Sequence, residues 1–147
     1  MIRKWIDTVI SMLRETEDIK EIDRLLRDWV ISSLSAHDKR ERTAQALLSM
    51  TIDPRYTQVP SDILYRFQLS TDNGSDDMIK SWSYTKNGAK KIAEYYDKAG
   101  LTGEIIIKPV SKVNVIICIP TFYQVTKLFS GRMFMRMVSN EKEVLVL

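Results

Sequence analysis

The apolar residues of this chain change their repeat partway along, and that change limits the fold more than any other feature. In "IRKWIDTVISMLRE" the residues Ile2, Trp5, Ile6, Val9, Ile10 and Leu13 recur at three- and four-residue steps, which gathers them on one face of a helix. "DIKEIDRLLRDWVISSL" repeats the pattern with Ile19, Ile22, Leu25, Leu26, Trp29 and Val30. Asp18 with Glu21 has the form of a capping box that would start this second helix. A third helix, "HDKRERTAQALLSM", follows a further capping pair, Ser35 and Asp38.

Past Pro54 and Pro60, which bracket a loop, the runs become β-rich. "DILYRFQLS" alternates and reads as a strand that ends in the turn "TDNGSDD". "SWSY" leads into "TKNGAKKIAEYYDKAG", a helix that Gly100 stops. "GEIIIKPV" and "VNVIICI" read as strands split at Pro109, and "TFYQVTKLFSG" fits either element. "RMFMRMV" alternates strictly, with Met133, Met135 and Met137 on one side and Arg132, Phe134 and Arg136 on the other, which predicts a strand. "EVLVL" closes the chain as the last strand. Helices first, then strands with one helix among them, predict an α+β fold. The expected organisation is one domain, 1–147, with a helical lobe over 1–52 and a mixed, mainly antiparallel β core over 61–147.

Composition removes several chemistries. The single cysteine, Cys118, excludes an internal disulfide framework, and with one histidine, His37, it also excludes a His/Cys zinc site within one chain. Cys118 lies in "VIICIP", where a buried, inert thiol is expected. Neither common glycine-rich phosphate loop is present. The N-terminus lacks an unbroken apolar leader, and no apolar stretch reaches bilayer length. A cytoplasmic protein without a membrane contact is expected. The net charge of +3 permits an acidic or nucleic-acid partner without requiring one.

Three short elements, unremarkable singly, carry weight by their order. An arginine stands in an apolar strand, Arg66 in "ILYRFQL". A serine, Ser81, stands at the strand-to-helix step "SWSYTKNGAKKIA". A Glu-x-Glu enters an apolar strand, Glu141 and Glu143 in "EKEVLVL". Residues two apart in a strand share a face, so both carboxylates would face one cleft with Lys142 turned away. Two carboxylates that close repel, and one is expected to hold its proton unusually well.

This order resembles the arginine–serine–glutamate class of mono-ADP-ribosyltransferases, which includes bacterial toxins and bacteriophage enzymes. "LYR" looks like that family's first motif. "SWSYTKNGAKKIAEYY" looks like its serine motif, with Ala89 at the expected helical position, and "EKEVLVL" looks like its closing Glu-x-Glu strand. The resemblance implies an ADP-ribosyltransferase-type β core that binds NAD. It implies an NAD-dependent transferase (a glycosyltransferase in the chemical sense) that moves ADP-ribose onto an acceptor and releases nicotinamide, with no metal. A glutamate at the first position of Glu-x-Glu goes with an arginine side chain of a target protein as acceptor. The modification is then post-translational. A nucleic-acid acceptor keeps the same chemistry.

In roles carried over from that resemblance, Glu143 stabilises positive charge on the ribose, Glu141 helps deprotonate the nucleophile, and Ser81 holds Glu143 in position. Arg66, with Ser81, Trp82 and Ser83, would contact the cofactor; Ser83 is the less suited of the two serines, and Trp82 reads equally as a core aromatic. The segment before Glu141 would read the target through Phe134, Arg132 and Arg136, or else form an edge strand. The expected setting is the cytoplasm, that of a host if the chain is phage-encoded. Phe67 stands where the family often has glycine, and the chain stops at the glutamate strand where many relatives continue. Both motivate a second reading: a catalytically weakened ADP-ribosyltransferase-fold binding module that grips a host protein or nucleic acid.

Overall fold

The computed structural model describes residues 2–31, 37–70, 78–98 and 100–147. The first helix, α1, runs unbroken over Ile2–Ile31. The sequence reading divided it at Asp18, but no Pro or Gly separates its two apolar repeats, so nothing stops propagation there. Thr16, just before the expected start, donates its hydroxyl to the Met12 carbonyl at 2.9 Å as an ordinary mid-helix residue. The second helix, α2, spans His37–Ser49. Ser35, the expected cap, and the turn at 71–77 lie outside the described residues. A short 3-10 turn follows over Pro54–Thr57, where the Asp53 carboxyl accepts the Arg55 backbone N–H.

The strands are β1 (Ile63–Leu69), β2 (Lys80–Ser83), β3 (Gly103–Pro109), β4 (Val115–Cys118) and β5 (Glu143–Val146), with α3 (Lys86–Lys98), α4 (Ile119–Thr126) and α5 (Arg132–Glu141) between them. Among the described residues the strands make one antiparallel sheet in the order β3-β1-β2-β5-β4. The fold is therefore α+β with a helical N-terminus. No described helix is long and apolar enough to cross a membrane.

"RMFMRMV" is α5, a helix and not a strand. Its strict alternation is also compatible with a helical face, because Phe134, Val138 and Glu141 fall at four- and three-residue steps and are the three buried positions. Gly131, at φ 92°, opens this helix in a conformation that other residues adopt only with strain. "TFYQVTKLFSG", open to either reading, supplies the end of α4.

The two faces of the sheet are covered differently. Cross-strand partners share a face in an antiparallel pair. Ser81 lies opposite Leu145 and Ser83 opposite Glu143, while Ile117 lies opposite Leu145. This face packs under the helices: Ile79, Ile117 and Leu145 join Ile22, Leu25, Leu26, Trp29, Leu47 and Phe122 in one core. The other face carries Leu64, Trp82, Cys118, Val144 and Val146 as a second cluster. The helical lobe thus sits directly over the face that bears Ser81 and Glu143.

Candidate active site

Four segments far apart in sequence meet at the Glu143 carboxyl. Ser81 on β2 donates its hydroxyl to Glu143 Oε2 at 2.5 Å. Trp29, near the end of α1, donates its indole N–H to the same oxygen at 2.8 Å and lies 3.2 Å from Ser81 Oγ. Arg40 on α2 donates from Nη2 to Ser81 Oγ at 3.3 Å. Its guanidinium lies over the Trp29 ring, 4.2 Å from the centroid, a stacking distance at which cation and ring quadrupole attract. Glu143 is only 5% exposed, so its carboxyl is held by these donors and not by water.

Glu141 reaches the same region by a different backbone. It is the last residue of α5, Lys142 follows in the left-handed conformation at φ 47°, and Glu143 begins β5. The Glu-x-Glu is thus a helix end, a turn and a strand start, not three residues of one strand as alternation predicted. Lys142 donates its N–H to the Val138 carbonyl at 3.1 Å and accepts from Tyr84 N at 3.2 Å. These bonds satisfy groups that a helix end leaves open.

Glu141 is 6% exposed, and its Oε2 is buried without a hydrogen-bond partner. Burial pushes its carboxyl up to about 8, the nearby Glu143 adds to the rise, and Arg40 opposes it. At neutral pH this carboxyl holds a proton that an exposed glutamate has lost. Arg40 Nε is likewise buried without a partner.

A small support holds this arrangement. Ser83, fully buried, donates to the Glu141 carbonyl at 2.7 Å and accepts from Thr85 N at 3.2 Å. Thr85 caps α3 by accepting the Gly88 N–H at 3.0 Å. A side chain at Gly88 would collide with Ser83 Oγ and the Glu141 carbonyl oxygen. This glycine lets the first turn of α3 approach the end of α5.

The expected site residues are divided. Ser81, Glu141 and Glu143 come together. Arg66 does not join them: Tyr65 is the β1 residue opposite Ser83, and the two-residue period turns Arg66 to the face of Leu64 and Trp82. The guanidinium at Ser81 belongs instead to Arg40. Trp82 is buried in the second cluster on that far face, with Lys108 Nζ 5.8 Å from its ring centroid. It is a core aromatic here, not a wall beside Glu143. Ser83 bonds the Glu141 backbone. Phe134 is in the core, edge-on to Tyr123 at 5.6 Å, while Arg132 and Arg136 are exposed on α5.

Sequence reasoning missed Trp29 and Arg40. Trp29 was read correctly as part of an apolar face, but nothing local shows its N–H turned to a carboxyl. Arg40 is one of several charges in "HDKRERTAQ", but it stands four and seven residues before the buried Ala44 and Leu47, on their face of the helix, and that spacing is the signal that could have found it. Among the described residues no three His, Cys, Asp or Glu side chains come together as a metal site. Comparison with protein-family models, with curated proteins and with solved structures finds no significant match for the chain.

Proposed function

We propose that this chain is a mono-ADP-ribosyltransferase of the arginine–serine–glutamate type, which transfers ADP-ribose from NAD to an arginine side chain of a cytoplasmic target protein. The observation that carries the proposal is the Ser81–Glu143 hydrogen bond with Glu141 beside it. The bond from the ribose carbon to nicotinamide breaks, and its electron pair leaves with nicotinamide. Positive charge develops on the ribose, where a fixed carboxylate lowers its energy. Glu143, oriented by Ser81, is that carboxylate. A guanidinium nitrogen of the acceptor then bonds to the same carbon and gives up a proton. Glu141, poised near neutrality at about 8, is suited to take it once ionised. Arg40, whose Nη2 bonds Ser81, supplies the cation beside this pair, in the role Arg66 was expected to fill.

A specific observation favours a second reading, a binding module with catalysis lost. Glu143 is 5% exposed and already bonded by Trp29, so NAD must displace the indole to reach it. The experiment is incubation of wild type and Glu143→Gln with labelled NAD and a cell lysate, with nicotinamide release followed in parallel. Transfer or release by wild type, lost in Glu143→Gln, supports the enzyme. A folded wild type that neither labels an acceptor, cleaves NAD nor gains thermal stability from it rejects the enzyme in favour of the module.

A further inference from the structure

The first half of α1 buries none of its residues, and its contact with the loop after α2 is the exposed Glu15–Arg55 pair at 3.5 Å. Every residue of α1 that is buried lies at Ile22 or beyond. Yet the earlier half carries a continuous apolar stripe: Ile2 is 77% exposed, Trp5 69%, Met12 62% and Leu13 61%, with Ile6 and Ile10 at 43% each. The stripe is as wide as a core-facing helix of a bundle, not the scatter of single apolar residues found on any surface. A free helix of this length, about 25 Å, is marginal in water unless its apolar face is covered.

We infer that this half of α1 is the dimerisation surface of the protein, and that it pairs with the same segment of a second copy, antiparallel about a two-fold axis. Charge selects this occupant. The segment 2–18 has three cations, Arg3, Lys4 and Arg14, against four acids, Asp7, Glu15, Glu17 and Asp18. That near-balance gives no pull toward anionic lipid, which a membrane-binding helix needs. The distribution is self-complementary instead, with Arg3 and Lys4 at the start and Glu17 and Asp18 at the end, Glu15 being paired with Arg55 of its own chain. Arg3 and Glu17 flank the same side of the stripe roughly four turns apart, too far to pair within one copy. An antiparallel two-fold brings Arg3 of each copy to Glu17 of the other.

The helix's first turn has no acidic residue, so Arg3 and Lys4 sit unfavourably at the positive end of its dipole. A partner's acids there offset that penalty. The six apolar side chains, 43% to 77% exposed, would form the apolar centre of an interface of the ~800 Å² per partner that a stable pair needs.

Light scattering on the eluting full chain, at tens of micromolar, tests the proposal. Wild type is expected at twice the chain mass. Ile6→Glu with Leu13→Glu is expected at the monomer mass with its folded core intact by circular dichroism, since both side chains are exposed. Arg3→Glu is expected to weaken the dimer, and Arg3→Glu with Glu17→Arg to restore it. A monomeric wild type, or a dimer that survives the Ile6/Leu13 variant, overturns the proposal. So does monomeric protein that sediments with phosphatidylserine vesicles through the same stripe. Arg3→Glu without rescue by the swap overturns the antiparallel arrangement.

Discussion

Glu141→Gln should change how the protein's stability depends on pH. In the unfolded chain Glu141 titrates near 4.5, and in the folded chain near 8. Between those values the folded state holds a proton that the unfolded state has lost, so stability falls as pH rises. The contribution is fully present below 4.5 and is lost as pH rises through about 8. At about 1.4 kcal/mol per pH unit, the loss from this group reaches about 4–5 kcal/mol on the alkaline side. Gln keeps the shape of the protonated acid and cannot ionise. Urea denaturation followed by tryptophan fluorescence at about pH 5, 7 and 9 reads the difference. The gap between variant and wild type should open in favour of the variant from pH 5 to pH 9. Any fixed cost of the buried amide shifts the two curves by a constant and leaves this slope untouched. A gap that stays constant across the range would refute the reasoning, because the carboxyl would then be solvated or paired in a way its burial denies. Arg40→Gln removes the group that opposes the rise, so it should move the folded-state midpoint higher still.

Trp29→Phe keeps a ring under Arg40 but removes the donor to Glu143; a loss of ~1–3 kcal/mol in urea stability is expected. Gly88→Ala forces a Cβ into the Glu141 carbonyl oxygen, a backbone atom that moves only with the end of α5. A drop of about 1–3 kcal/mol, read as a lower melting temperature, is expected. Cys118 is fully buried, and burial pushes its thiol up, so a thiol reagent should label it slowly in buffer and rapidly in urea.

Apolar steps of three and four marked both halves of α1, because a helix must bury one stripe whatever it packs against, while a capping pair marked the start of α2 and Gly100 the end of α3. The β-rich runs marked β1, β3, β4 and β5 for the parallel reason. The division of α1 at Asp18 failed because a capping box has meaning only where the helix actually starts. The strand reading of α5 failed because so short an alternating run also carries the four- and three-residue steps of Phe134, Val138 and Glu141, and only the packing of this segment on α3 and α4 chose between them.

By itself, then, the sequence determined an α+β chain with a helical start, and it singled out Ser81, Glu141 and Glu143. What it could not contain was the facing of Arg66, since the side of a strand is decided by its register with a neighbour, here Tyr65 against Ser83. Nor could it contain Trp29 and Arg40 at the carboxyl, because that contact exists only once α1 and α2 lie on the sheet. The proton on Glu141 is likewise tertiary. A carboxyl's affinity for its proton is set by the water it loses and the charges it meets, and both came from the packing of α5 on α3 and α4 with Glu143 and Arg40 brought beside its end.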